Sequence, residues 1–196
     1  MLAKLRPLYN LFVEPLGKLS VSLGLTPDTW TIFSLLASIA AGVLLYQGSF
    51  WWGLVLSIIM FLADMMDGAT ARARGTPSKF GTVFDHVIDR YAEFFVYGGL
   101  AVGGWISPLT AMFTASGVVM ASYVRAKAES TGLVKDCAVG IAGRAEKLIL
   151  TYGAVVLLGL NIHNWAEYML IAVGVISHIT AVQRLLYSRT AIAQAS

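Results

Sequence analysis

The chain has 196 residues, 57% of them hydrophobic and only 13% charged. A water-soluble domain of this length has no interior that holds so much apolar surface, so lipid is the solvent for much of it. The formal charge of +3 is modest and gives no ground for a nucleic-acid partner; the placement of the cations says more than their sum.

Leu2 to Leu23 is amphipathic, with Pro7 and Pro15 as interruptions, and reads as an interfacial helix lying along the membrane surface. No run near the N-terminus is long enough for the core of a cleaved signal peptide. Six apolar stretches follow: Thr29 to Tyr46, Phe50 to Ala71, Thr82 to Val102, Pro108 to Lys127, Glu146 to Leu160 and Trp165 to Tyr187. Each is near the roughly 20 residues a helix needs to cross the hydrocarbon, the fifth being the shortest. All must be helical, because no strand edge survives in lipid. The predicted fold is therefore an all-α integral membrane protein, one domain over 1–196. An interfacial helix (1–23) precedes a six-helix bundle (24–196).

Cations set the orientation. Lys4, Arg6 and Lys18 lie in the first segment, and Arg72, Arg74 and Lys79 follow the second span. Arg125, Lys127, Lys135, Arg144 and Lys147 follow the fourth or begin the fifth, and Arg184 and Arg189 lie at the C-terminal end. The turns near Gly48, Ser107 and Asn161 hold no Lys or Arg, and Trp51, Trp52, Trp105 and Trp165 cluster there. The positive-inside rule puts both termini and the charged loops in the cytoplasm, with an aromatic belt outside. Only Arg90 departs from the pattern. This is the layout of a multi-pass protein of the cell membrane.

Asp64, Asp67, Asp85 and Asp89 lie within or at the cytoplasmic ends of the second and third spans. A carboxylate inside a membrane is costly and marks a functional site by default. Asp64 and Asp67 are three apart, with Gly68 and Ala71 continuing their face; Asp85 and Asp89 are four apart, with Gly81 one turn before. The connection from Arg72 to Phe80 is short and contains Gly75 and Pro77, so the two helices are antiparallel neighbours whose acidic faces meet. Four carboxylates together demand cations, and hard oxygen ligands suit Mg²⁺ or Mn²⁺, as a pair that clamps a phosphoryl group. Gly68 and Gly81 leave room for a nucleotide to approach the backbone, and Arg72 suits a phosphate. Two alternatives stay open on these residues alone: ion pairs with Arg72, Arg74 and Arg90 that lock the helices, or a cation-transport path.

The run Asp64-Met-Met-Asp67-Gly68-Ala-Thr-Ala71-Arg72, then eight residues, Gly81, three, Asp85, three, Asp89, resembles the signature of the CDP-alcohol phosphotransferase family with every fixed position filled. The resemblance implies that Asp64, Asp67 and Asp85 bind a two-metal centre, and that Asp89 contacts the second metal and serves as general base. It also implies that Gly68, Arg72, Ser78 and Gly81 hold the CDP part of a CDP-lipid donor. Leu25-Thr-Pro-Asp28-Thr29-Trp30-Thr31 is similar to the segment that closes over the cytidine. The family is commonly homodimeric.

A second cationic set, Arg125, Arg144 and Arg184, sits at three cytoplasmic helix ends. Arginine forks match phosphate oxygens, although positive-inside topology accounts for any one of these residues equally well. The segments around them resemble the branch that makes phosphatidylinositol phosphate or its archaeal ether-lipid counterpart. That likeness implies a soluble phosphorylated acceptor, inositol 1-phosphate, with these three arginines on its phosphate. Asp136-Cys-Ala-Val-Gly-Ile-Ala-Gly143 is closer to the archaeal members. Glycerol 3-phosphate and serine are the alternative acceptors, and a Mg²⁺-dependent intramembrane prenyltransferase is the rival enzyme.

The remaining polar residues read as structure. His86 falls on a different helical face from Asp85, and His163 and His178 have no second ligand in reach. Glu93 extends the Asp85–Asp89 stripe and either bonds within the bundle or tunes the site. Gly98, Gly99, Gly103 and Gly104 suggest close helix packing. The single cysteine, Cys137, is a small loop residue and excludes an intramolecular disulfide framework.

Overall fold

A computed structural model describes residues 6–75 and 78–195. Among them all regular structure is helical: α1 (Arg6–Ser22), α2 (Pro27–Tyr46), α3 (Phe50–Arg74), α4 (Lys79–Val102), α5 (Pro108–Glu129), α6 (Arg144–Gly159) and α7 (His163–Ala195). Leu2 to Leu5 of the expected interfacial helix, and Pro77 of the short connection, lie outside the described residues. α2, α3 and α7 are long and apolar enough to cross a membrane by length and composition. The chain divides into two compact units, 1–99 and 100–196.

In the first unit, α1 is one unbroken helix with Pro15 inside it, which corrects the expectation that Pro15 interrupts the segment. Val13, Gly17 and Ser20 are its buried face, at helical spacing, while Leu16, Leu19 and Leu23 stay exposed. The buried face packs on α3: a Cβ on Gly17 would stand 2.6 Å from the Ala69 carbonyl oxygen. α2 starts where local chemistry fixes it. The Thr26 side chain accepts from the Thr29 N–H at 3.1 Å, and Pro27 takes the first helical position, where its missing N–H costs nothing. α3 stops at Gly75, whose φ of 67° is left-handed and suits glycine. Ser78 starts α4 by accepting from the Gly81 N–H at 2.7 Å.

Gly42 and Gly99 bring α2 and α4 backbone to backbone: a Cβ on Gly42 would lie 2.6 Å from Phe95 O, and one on Gly99 would strike Gly42 itself. Close packing thus accounts for Gly99. It does not account for Gly98, where a Cβ meets nothing within 4 Å, or for Gly104, which turns the chain at φ 75°.

In the second unit, α5 and α6 both pack on α7. Ser107 caps α5, accepting from Leu109 and Thr110, and Pro108 follows at the first helical position. Glu167 reinforces that end from α7, accepting from Ser107 N–H at 3.1 Å and the Thr110 hydroxyl at 2.7 Å. Trp51, Trp52 and Trp165 are more than half exposed, and Trp105 is partly buried.

Candidate active site

The last three turns of α3 carry Asp64 and Asp67, and the second turn of α4 carries Asp85. Each offers one carboxylate oxygen to a cluster in which all three atoms lie within 4.8 Å of one another. Asp67 is buried, and Asp64 and Asp85 are partly buried. Its Oδ2 accepts from the Thr31 hydroxyl of α2 at 2.9 Å, which fixes the innermost carboxylate. Like charges at this separation repel strongly away from bulk water, so the arrangement calls for positive charge in its midst. The donor set, hard carboxylate oxygens and no thiol or imidazole, fits a divalent cation of the magnesium or manganese kind.

Beside the cluster is a cavity of about 330 Å³. Asp28, Thr31, Asp67, Gly68, Ser78, Gly81 and Asp85, all expected from the sequence, line it, together with Thr26, Pro27, Ala71, Arg74 and Thr82. The glycines open it: a Cβ on Gly81 would stand 2.8 Å from Ser78 Oγ and 3.7 Å from Asp28 Oδ1. The cavity combines carboxylates, hydroxyls, bare backbone and a cation, the chemistry that a nucleotide with its pyrophosphate and metal requires.

Several expected residues take other positions. Thr29 and Trp30 do not line the cavity. Thr29 lies hydroxyl to hydroxyl with Thr26 at 2.8 Å, and the Trp30 indole donates to Ser20 at 2.7 Å. Arg72 is exposed, with Nη1 3.2 Å from where a Cβ of Gly68 would stand. Arg74 is the arginine that lines the cavity, anchored through Nη2 to the Leu25 carbonyl at 3.1 Å. Asp89, one turn beyond Asp85, is buried, its Oδ2 3.6 Å from Arg90 Nη2, and it is not one of the three clustered acids. Glu93 is buried and takes Arg90 in an ion pair at 2.5 Å.

In the second unit, Arg125 and Arg184 bracket the loop between α5 and α6. Arg125 Nε donates to Glu129 Oε1 at 2.9 Å, and its Nη2 lies 3.6 Å from Asp136. Glu129 Oε1 also accepts from the Cys137 N–H at 3.0 Å. Burial opposes its charge, but the Cys137 N–H and Arg125 outweigh that and hold the carboxyl below the ordinary glutamate range. Arg184 is buried on α7 and donates to two carbonyls, Ala121 at 2.7 Å and Val139 at 3.0 Å. Arg144 is the first residue of α6, after Gly143, whose N–H donates to Glu146 at 3.1 Å. Cys137 is fully buried beside Ala128 and Val134, and burial pushes its thiol up, as befits a packing residue.

Comparison with known proteins assigns this geometry to a class. A family model described as CDP-alcohol phosphatidyltransferase matches residues 24–180. The archaetidylinositol phosphate synthase of Methanothermobacter thermautotrophicus is 35% identical over 188 residues, covering 95% of this chain and 93% of that protein. The phosphatidylinositol phosphate synthase of Mycobacteroides abscessus is also 35% identical, over 94% of this chain and 87% of its own. Crystal structures of the phosphatidylinositol phosphate synthase of Mycobacterium tuberculosis superpose well. The complex with manganese and citrate gives a TM-score of 0.80 at 30% identity, over 91% of this chain and 90% of that one. The form with CDP-DAG bound gives 0.79 at 29%, over 90% and 93%.

An all-helical membrane protein with three clustered aspartates beside a polar cavity is thus a transferase of the CDP-alcohol type. The chain belongs to the CDP-alcohol phosphatidyltransferase family. That membership decides against the prenyl-transfer and ion-transport alternatives.

Proposed function

We propose that the enzyme moves the phosphate-linked lipid of a CDP-lipid, CDP-archaeol or CDP-diacylglycerol, onto a hydroxyl of inositol 1-phosphate and releases CMP. The observation that carries the reading is the cluster of Asp64, Asp67 and Asp85, of which Asp67 and Asp85 line a cavity opened by Gly68 and Gly81. The names of the relatives support the acceptor, and the CDP-DAG bound to the mycobacterial structure supports the donor.

Asp64, Asp67 and Asp85, with Asp89, hold two divalent ions, Mg²⁺ or Mn²⁺. When bound, such ions supply Lewis-acid neutralisation of the pyrophosphate and of the departing CMP. Thr31 fixes Asp67, and Asp28, Ser78 and the bare backbone at Gly68 and Gly81 receive the cytidine and its phosphates. Arg74, with Arg72, contributes positive charge at the mouth. Asp89 takes the proton from the acceptor hydroxyl as its oxygen attacks the lipid-side phosphorus. One phosphorus–oxygen bond forms and one breaks, so positioning and charge neutralisation supply most of the acceleration. Arg125, Arg144 and Arg184 receive the acceptor's phosphate. The cation distribution supports six membrane spans with both termini and the site on the cytoplasmic side of the cell membrane, and the family's habit supports a homodimer.

A radiolabel assay with purified enzyme tests this, offering inositol 1-phosphate, free inositol, glycerol 3-phosphate and serine in parallel with each CDP-lipid. Inositol 1-phosphate is the expected acceptor. Preference for an unphosphorylated one removes the role given to the three arginines.

A further inference from the structure

We infer that Ser20, on the interfacial helix α1, is a positioning residue for the donor and metal site. This rests on the reading of Asp64, Asp67 and Asp85 as that site. Ser20 is only 2% exposed, and its hydroxyl is the meeting point of three helices. It accepts from the Trp30 indole N–H of α2 at 2.7 Å and from the Thr70 hydroxyl of α3 at 2.9 Å. Both donors are next to the cluster in sequence. Trp30 precedes Thr31, whose hydroxyl holds Asp67, and Thr70 lies three residues after Asp67, one helical turn along the same face.

The packing makes this contact stiff. Gly17, one turn before Ser20, brings the α1 backbone against Ala69, so the two helices meet closely at this point. The Trp30 N–H takes one of the hydroxyl oxygen's two lone pairs, and the single Thr70 proton is shared between the other and the Met66 carbonyl. Without that oxygen the two donors fare differently. Thr70 also lies 2.7 Å from the Met66 carbonyl and keeps a partner there. Ser20 is the acceptor of the Trp30 N–H, so that N–H loses its partner in a part-buried place. Its loss frees the first turn of α2 to shift, and that turn carries Asp28 and Thr31 on the cavity wall. α1, which contributes no described residue to the cluster or the cavity lining, thereby sets the geometry of the donor site.

The test compares Ser20→Ala, Trp30→Phe, the double variant and Ser22→Ala with the wild type, all in lipid-supplemented micelles. Ser22 is exposed and bonds only within its own helix, to the Leu19 carbonyl, so it serves as the control. Mn²⁺ binding is read without substrate from the spin-resonance signal of the free ion, and KM is read for CDP-lipid and for inositol 1-phosphate. S20A and W30F should each weaken Mn²⁺ binding and raise the CDP-lipid KM by about fivefold, the usual effect of one lost buried hydrogen bond. The inositol 1-phosphate KM should stay put, S22A should match the wild type, and the double variant should be no worse than either single one, because both remove the same bond. S20A with Mn²⁺ affinity and donor KM within about twofold of wild type overturns the inference, as do additive effects in the double variant. If S20A does not fold, W30F decides by the same two readouts. A wild type that binds no Mn²⁺ sinks the metal-site reading beneath it instead.

Discussion

Thr31 and Asp67 are joined across α2 and α3 by a buried hydrogen bond of 2.9 Å, hydroxyl to carboxylate Oδ2. An aspartate side chain has about three staggered χ1 positions and a broad χ2, and this bond selects one orientation. Removing the hydroxyl without changing the shape, as Thr31→Val does, should leave the fold intact and raise the divalent-ion concentration for half-maximal turnover by about tenfold. Titrating activity with Mg²⁺ checks it, with saturating metal restoring most of the rate.

Gly81 makes a second, steric prediction. A Cβ there meets Ser78 Oγ at 2.8 Å, and Ser78 is the cap of α4. Gly81→Ala should displace the cap and cost about 1 kcal/mol of stability. Gly81→Val reaches further, toward Asp28, and should raise the CDP-lipid KM at least ~10-fold while the acceptor KM holds. Steady-state kinetics with both substrates varied separates the two.

The acid cluster was legible because its signal is local: i, i+3 spacing in one span and i, i+4 spacing early in the next, inside sequence too apolar to tolerate charge otherwise; that Asp85 joins the three-acid cluster and Asp89 does not was not legible. The helices were legible for the same reason, with misplaced ends where hydropathy and hydrogen bonding part company. α2 begins at Pro27 because Thr26 caps it, and α7 continues to Ala195, past the apolar run that ends near Tyr187. What stayed hidden depends on which way side chains turn between helices far apart in sequence. Arg72 and Arg74 are equivalent in composition, yet only Arg74 reaches the cavity. Trp30 sits in the motif expected over the cytidine but turns its N–H to Ser20, ten residues earlier.

Asp89 is expected to remove the acceptor's proton, and it stands one turn from Asp85, buried and next to Arg90. Asp89→Asn keeps the shape and one acceptor oxygen but has no basicity. Transfer should fall by about 10²–10⁴-fold, while CDP-lipid binding, measured by equilibrium dialysis, stays within about threefold of wild type. Ordinary turnover by the purified variant removes Asp89 from the base role.

Glu129 gives a prediction with a sign. Its folded carboxyl lies below the ordinary glutamate range because Arg125 and the Cys137 N–H outweigh burial. A depressed value stabilises the fold wherever the unfolded carboxyl is ionised, and that gain disappears as pH falls through the folded value. The group is 32% exposed, so the effect is at most about 1 kcal/mol. Wild type should melt above Glu129→Gln at pH 6, and the gap should close between about pH 4.3 and the lowered value.

Arg184 and Arg125 are both expected at the acceptor's phosphate, but the structure gives them different second tasks. Arg184 spends two of a guanidinium's five N–H donors on the carbonyls of Ala121 and Val139, tying α5 and the following loop to α7 from a buried position. Arg125 is 42% exposed and pairs with Glu129, a contact worth little at that exposure. Lysine keeps the charge but lacks the planar fork that reaches both carbonyls at once. Arg184→Lys should therefore lower stability by about 2 kcal/mol and raise the inositol 1-phosphate KM. Arg125→Lys should raise that KM with stability changed by less than about 1 kcal/mol. Thermal melting and acceptor kinetics on the same preparations separate the contributions. R184K that melts early with an unchanged acceptor KM leaves Arg184 as a clamp alone, and R184K that melts normally with a raised KM assigns it to the ligand.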